Sequence, residues 1–163
     1  YLLGPLFNAQ GWSTSPFNLY PATGRYMVRD IERIAAGRGL TFKLPDPFPA
    51  NGLYAARLAL VGLEAGWTPA FTKSVYCAEF QRGEDISESS VLQRCLAEVG
   101  VDAKAAIEMA ASQPIKDQLR ANTDEAIRRE LFGAPTFATA DGEVFWGDDR
   151  LEAAIAWASN TAD

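Results

Sequence analysis

The amino-acid sequence predicts an α/β fold in which helices predominate and cover a sheet that the chain supplies only in part. Five or six segments carry apolar residues at helical spacing, and two short β-prone runs near the C-terminus form one predicted hairpin. With 48% apolar and 22% charged residues, the composition is that of an ordinary globular protein. An isolated two-stranded ribbon is only marginally stable in water. The apolar faces of the predicted helices therefore indicate further strands to pack against, which this chain lacks.

The first 50 residues are predicted to form a loop, a helix and an extended connector. Glycine, proline, serine, threonine and aromatic residues between Gly4 and Gly24 favour a loop with little regular structure. Apolar residues at helical spacing from Met27 to Ala35 predict a helix that Gly37 ends. Prolines at positions 45, 47 and 49 forbid a helix and predict an extended segment.

Five more helices are predicted between residues 51 and 132. Serine, asparagine and aspartate accept hydrogen bonds from the free amides of a first helical turn, and proline has the φ angle of that turn. The predicted starts are Asn51, Pro69, Ser87, Asp102 and Pro114. Gly66 and Gly100 end two of these helices.

After Gly133 the pattern changes from helical to β-prone. Residues 135–140 and 143–146 are joined by Asp141-Gly142, which is typical of a tight hairpin turn. Gly147-Asp148-Asp149 then precedes a last amphipathic helix, whose acidic start suits the positive end of the helix dipole.

Charge and residue usage exclude several classes of function. The formal net charge of −6 disfavours a nucleic-acid or anionic-membrane partner, since either requires a basic patch. No run of roughly 18 apolar residues is present, so we expect no membrane span. The sequence has no histidine, and Cys77 and Cys95 lie eighteen residues apart, which removes the usual zinc sites, triads and redox dithiols. We expect no metal and two small buried cysteines, with a reactive thiol or a disulfide as the less favoured alternatives.

Three elements near the C-terminus carry a family resemblance. They are Gly133-Ala134-Pro135-Thr136-Phe137, Asp141-Gly142-Glu143, and Phe145-Trp146-Gly147-Asp148-Asp149-Arg150-Leu151. Together they look like the C-terminal half of a thioredoxin fold, and more narrowly they resemble kappa-class glutathione transferases and bacterial 2-hydroxychromene-2-carboxylate isomerases. Leu2–Phe7, Gly24–Asp30 and Phe48–Asn51 match the same family in order and spacing.

The resemblance implies a thioredoxin-like fold with an all-helical insertion domain, the first βαβ half being largely absent from this chain. It divides the chain into a loop at 1–24 that follows the absent half, a helical insertion at 25–132, and a C-terminal ββα half at 133–163. Tyr1 is not a methionine, and Tyr1–Pro5 looks like the end of a strand entering a loop. We therefore expect an opening segment upstream, no signal peptide, and a cytoplasmic protein.

The resemblance also implies a glutathione site built from two elements. A cis bond before Pro135 would turn the N–H and C=O of Ala134 outward, where an extended tripeptide can pair with them. The turn at Gly147 would bind the γ-glutamyl group. There Asp148 is expected to cap the helix and contact the ligand through its backbone, and Asp149 to pair with the ammonium.

Two positions depart from the family pattern. Trp12 stands where kappa-class members have asparagine, and Thr23 where they have a lysine near the glycyl end of glutathione. Loss of that lysine removes a charge-assisted hydrogen bond of ~1.5–3 kcal/mol, so glutathione binds more weakly or Arg25 supplies the charge. Trp12, Phe17 and Tyr20 line an aromatic substrate pocket or, equally, form a packed aromatic loop.

The activity that the resemblance implies is glutathione-dependent isomerisation of 2-hydroxychromene-2-carboxylate or of a related aromatic-degradation intermediate. The alternatives are a kappa-type transferase, a thiol–disulfide oxidoreductase with an upstream Cys-x-x-Cys, and a fragment that only associates through its apolar faces. The family's catalytic serine lies upstream of Tyr1, so no residue of this chain is assigned the catalytic role. Family members are usually dimers, which makes a homodimer one further expectation.

Overall fold

The computed structural model describes residues 1–160, and it contains nine α-helices and two short strands in that range. Helices α1 (Leu3–Ala9) and α2 (Pro16–Leu19) and the start of α3 (Pro21–Gly37) occupy the segment predicted to be a loop. That prediction was wrong because the prolines lie in first helical turns, where the amide needs no partner. Ser15 caps α2 by accepting a hydrogen bond from the amide of Phe17 at 3.3 Å.

The middle of the chain forms the five predicted helices. They are α4 (Leu53–Ala65), α5 (Thr68–Cys77), α6 (Ser89–Glu98), α7 (Ala103–Ala110) and α8 (Gln113–Arg128), and a π-helical turn (Ala78–Arg82) continues α5. The connector between α3 and α4 has no regular structure, as its prolines predict. None of the helices within residues 1–160 combines the length and hydropathy needed to cross a bilayer.

Of the three predicted capping side chains, Asp102 holds its cap position, whereas Asn51 and Ser87 do not. The Asp102 carboxylate accepts hydrogen bonds from two amides of α7, at 2.9 and 3.3 Å. Asn51 accepts from the amide of Leu53 at 3.1 Å, although Gly52 holds the backbone cap position. Ser87 does not cap α6. Its own amide donates to Asp85 Oδ1 at 2.8 Å, which closes a turn and delays the helix by two residues.

The C-terminal region contains the predicted hairpin and closing helix. Strands β1 (Thr136–Ala138) and β2 (Val144–Trp146) pair antiparallel, with Phe137 opposite Phe145. Gly142 has a φ of +96°, which suits glycine in a tight turn. A 3-10 turn (Asp148–Arg150) then leads into α9 (Leu151–Asn160).

The principal core lies among the middle helices, and its buried members come from α4 to α7 and the segments that join them. These are Leu58, Phe71, Val75, Ala78, Ile86, Val91, Leu92, Cys95, Leu96, Ala106 and Ala110. Both cysteines are free thiols; Cys95 is fully buried, as predicted, whereas Cys77 is only partly buried.

A second, smaller cluster joins the two ends of the described chain. Leu6 of α1 packs against Ala126 of α8 and Leu131 after it. The amide of Leu2 also donates to the hydroxyl of Thr123 at 3.1 Å. Segment 1–24 is therefore held against α8, close to where the chain enters the hairpin.

Candidate ligand-binding site

The loop before β1 presents backbone groups that have no hydrogen-bond partner within residues 1–160. The Ala134–Pro135 peptide bond is cis, the form that the resemblance implies. Ala134 is exposed, and neither its N–H nor its C=O bonds to any residue among the 160 described. The neighbouring carbonyl of Gly133 accepts from the hydroxyls of Tyr1 and Thr136, both at 2.8 Å, so the loop is fixed while Ala134 stays available.

The turn at Gly147 lies directly against this loop. The amide of Gly147 donates to the carbonyl of Pro135 at 3.0 Å, which holds the turn beside Ala134. The amides of Asp148 and Asp149 make no hydrogen bond within the described part of the chain, and they precede α9. Free amides at the start of a helix attract anions.

The charges at this turn differ from those expected. Asp148 Oδ2 accepts from Arg38 Nη2 at 2.6 Å, and both side chains are exposed. The predicted helix-capping role of Asp148 is wrong, because Gly147 holds the cap position and Asp148 is already the first residue of the 3-10 turn. The exposed carboxylate of Asp149 has an ion-pair partner in the adjacent Arg150 at 3.3 Å. A ligand would therefore meet two cations, Arg38 and Arg150, and two carboxylates here.

Among the described residues, neither Trp12 nor Thr23 forms a hydrogen bond or an ion pair with this turn. Thr23 is exposed near the start of α3, about 21 Å along the helix axis from the end that carries Arg38. The Trp12 ring packs on Phe7, with ring centroids 5.7 Å apart. A role for Trp12 or Thr23 in glutathione binding stays a prediction.

A cleft of about 980 Å³ opens between α1, the connector, α4 and α5. Its walls are mostly apolar, and seven aromatic side chains line it: Tyr1, Phe7, Phe17, Phe48, Phe71, Tyr76 and Phe80. Phe17 and Phe48 meet edge to face with centroids 5.0 Å apart, and Tyr76 stacks on Phe80 at 5.9 Å. Volume and lining suit a small aromatic molecule.

The cleft contains one of the three aromatic residues singled out from the sequence. Phe17 lines it, whereas Trp12 and Tyr20 do not. Tyr1 links the cleft to the loop before β1, because it lines the cleft and its hydroxyl donates to the carbonyl of Gly133 at 2.8 Å.

One carboxylic acid, Glu79, is found among the described residues that line the cleft. It lies in the π-helical turn and is only 8% exposed. Burial, and then the negative charge of Asp85, raises the pKa of Glu79 to about 7. Burial, followed by the charges of Glu79 and Tyr1, also raises the pKa of Tyr76 above its ordinary value.

Sequence reasoning missed Glu79, Arg38 and Tyr1. Glu79 is a single acid on a helix, a pattern that ordinarily indicates a solvated face. Its two neighbours, Ala78 and Phe80, are apolar, and they are the only local indication that the Glu79 side chain is buried. The partners of Arg38 and Tyr1 are 110 and 132 residues away, so no local pattern identifies them.

The chain is similar to known proteins over most of its length. The model of the DSBA-like thioredoxin domain matches residues 4–155. A 2-hydroxychromene-2-carboxylate isomerase of Sphingobium xenophagum is 30% identical over 128 residues, covering 78% of this chain and 64% of that protein. Human glutathione S-transferase kappa 1 is 29% identical over 150 residues, covering 84% and 66%. The chain thus spans about two thirds of the length of each relative.

The fold also matches a solved structure. A 2-hydroxychromene-2-carboxylate isomerase superposes with a TM-score of 0.77 over 98% of this chain and 77% of the other, at 21% identity. At that identity the match concerns the fold alone. The thioredoxin-like fold predicted from the sequence is confirmed, as a mostly helical chain with a small two-stranded sheet.

Proposed function

Because this chain belongs to the DSBA-like thioredoxin domain family, we propose that it acts in glutathione-dependent isomerisation of an aromatic substrate related to 2-hydroxychromene-2-carboxylate. Its relatives include an isomerase and a glutathione transferase, which supports an enzymatic function at the level of the family. The observation that carries the proposal is the unpaired backbone of Ala134, held beside the Gly147–Asp149 turn and linked by Tyr1 to an aromatic cleft.

Glutathione fits the loop and turn as an extended tripeptide. The N–H and C=O of Ala134 would pair with the ligand backbone in the manner of a strand. The free amides of Asp148 and Asp149 would hold the γ-glutamyl carboxylate, with Arg38 as the nearby cation, and the Asp149 carboxylate would pair with the ammonium. When bound, glutathione supplies a thiol whose thiolate adds reversibly to a conjugated double bond.

The aromatic cleft would hold the substrate ring. Its residues position the ring and exclude water from the reacting bond, since most of the lining side chains are apolar. In this proposal the catalytic serine that the resemblance implies precedes Tyr1, so the activity is that of the whole protein. A cytoplasmic location and a homodimer belong to the same proposal.

A kappa-type transferase is the second candidate, favoured by the match to the human kappa-class enzyme over 84% of this chain. Such an enzyme would conjugate glutathione to an electrophile instead of releasing it. A thiol–disulfide oxidoreductase is the remaining alternative, and it would need a Cys-x-x-Cys upstream of Tyr1, since Cys77 and Cys95 lie singly on α5 and α6.

The test is an isomerase assay on the full-length protein. Absorbance would follow 2-hydroxychromene-2-carboxylate with and without glutathione, and we expect conversion only when glutathione is present. Asp149→Ala is expected to raise the KM for glutathione roughly tenfold, the effect of losing about 1.4 kcal/mol of binding. Asp124→Ala, on the exposed face of α8, is the matched control and should change nothing.

Two results would contradict the proposal. Equal conversion without glutathione would remove the cofactor from the reaction. Conjugation of 1-chloro-2,4-dinitrobenzene in the absence of any isomerisation would assign the protein to the transferases.

A further inference from the structure

The proposed function assigns no role to Glu79. The residue is less than a tenth exposed and lines the cleft, and its carboxylate has no hydrogen-bond or ion-pair partner in the described part of the chain. An ionised carboxylate in such a place is costly, because no counter-ion compensates for the hydration that burial removes. The neutral acid is favoured instead, and it carries an O–H that can donate.

The groups around Glu79 offer no compensating cation. Tyr76 on α5 and Tyr1 before α1 line the same cleft, and Asp85 in the segment before α6 adds negative charge. Two basic residues near this turn, Arg82 and Lys43, have other partners. Arg82 pairs with Glu84 at 3.1 Å, and Lys43 Nζ donates to the carbonyl of Arg82 at 3.4 Å.

Several other polar side chains line the cleft, but among the described ones Glu79 alone is buried, which makes it the polar group best placed to orient a flat ligand. Tyr76 and Phe80, on either side of it in the chain, stack on one another with centroids 5.9 Å apart. Apolar walls hold an aromatic ring without fixing its rotation, whereas a single buried donor fixes which edge of the ring faces it. A ligand that leaves this donor unpaired binds more weakly, so the donor selects ligands that carry an acceptor at that edge.

We propose that Glu79 is the specificity-determining residue of the cleft, a neutral acid that donates a hydrogen bond to a ring or carbonyl oxygen of an oxygen-bearing aromatic ligand. The proposal deepens the proposed function, on which it rests for the placement of the aromatic substrate in this cleft. It does not depend on where glutathione binds.

The test uses coumarin, a bicyclic aromatic lactone that stays uncharged across the pH range and presents a carbonyl oxygen. Binding to the purified protein is measured by calorimetry between about pH 5 and about pH 9, a range that spans the titration of Glu79 and leaves Tyr76 neutral. We expect coumarin affinity to fall roughly fivefold as pH rises, since ionised Glu79 no longer donates.

Three variants make the result specific to Glu79. Glu79→Gln keeps an N–H donor of similar shape, so coumarin should bind at all pH values without the titration. Glu79→Leu removes the donor and should weaken binding roughly fivefold at low pH. Asp85→Asn removes the neighbouring negative charge but keeps the oxygen that accepts from Ser87, so the midpoint should move to lower pH.

The proposal is overturned if coumarin does not bind, if wild-type binding is independent of pH, or if Glu79→Leu binds as tightly as the wild type. Circular dichroism of each variant separates a lost donor from a lost fold. Failure of the glutathione-dependent isomerase assay would leave this titration unaffected, so the two proposals can fail separately.

Discussion

The buried carboxyl of Glu79 links the stability of the protein to pH. Its folded-state pKa of about 7 lies above the ordinary value of 4.5, so between these values the folded chain binds more protons than the unfolded chain. The contribution of Glu79 to the free energy of unfolding is therefore fully present below pH 4.5, and it is lost as pH rises through about 7. The loss is roughly 1–3 kcal/mol, because the carboxylate borders an open cleft and keeps some contact with water.

Glu79→Gln is predicted to stabilise the protein at pH 8 and to have little effect near pH 4. An amide cannot ionise, so the variant should exceed the wild type at pH 8 by roughly 1–3 kcal/mol in free energy of unfolding. Urea denaturation at both pH values measures the difference. Glu108→Gln, at an exposed position of α7, is the control that should show no pH-dependent gain. An equal gain at the two pH values would mean that packing, not charge, is responsible.

Among the elements, the loop before β1 depends on the absence of a side chain at Gly133. An added Cβ would lie 2.5 Å from Trp146 Nε1 on β2, too close for either group to remain in place. Gly133 is also the residue whose carbonyl receives the Tyr1 and Thr136 hydroxyls. Displacing it would move Ala134 away from the turn at Gly147.

Gly133→Ala is predicted to destabilise the protein by about 1–3 kcal/mol, the usual cost of overpacking. Thermal unfolding gives the stability, and tryptophan fluorescence reports the displacement of Trp146. Gly37→Ala is the control, since an added Cβ there meets no atom within 4 Å and lies at the end of a helix. Wild-type stability and fluorescence in Gly133→Ala would contradict the close packing described above.

Local chemistry explains which elements could be predicted from the sequence. Asp102, Asn51 and the connector prolines act on backbone groups within a few residues, and the helices they delimit are where the sequence places them. The sequence predicts a loop over segment 4–24 because glycine, proline, serine, threonine and aromatic residues are frequent there, but the two prolines that begin α2 and α3 lie in first helical turns. Whether a proline breaks or begins a helix depends on residues that follow it.

The whole molecule has its principal core among the middle helices, and the hairpin lies outside it. The buried residues of that core, from Leu58 to Ala110, fall within the predicted insertion at 25–132. The packing of α1 on α8 ties segment 1–24 to the end of that insertion. The boundaries 1–24, 25–132 and 133–163 and the absence of a first βαβ half stay predictions, and residues 161–163 lie outside the described part of the chain.

The candidate site could be predicted only where it consists of backbone and turn. Ala134, Pro135 and the Gly147–Asp149 turn are recognisable as motifs, and they are indeed adjacent in the fold. The cleft depends on the packing of α1 near the connector, α4 and α5, from which α2 and α3 separate it in the chain. The ion pair of Arg38 with Asp148 and the position of Glu79 in the cleft both depend on tertiary packing, so the sequence pattern does not indicate them.

The most direct test of the central claim is to titrate glutathione into the isotope-labelled protein and follow its backbone amides by nuclear magnetic resonance. If an extended thiol tripeptide pairs with the loop and turn, the amides of Ala134, Asp148 and Asp149 should shift together and saturate, while those of α7 stay unchanged. Saturable shifts confined to the middle helices, or no shifts at any concentration, would contradict the account.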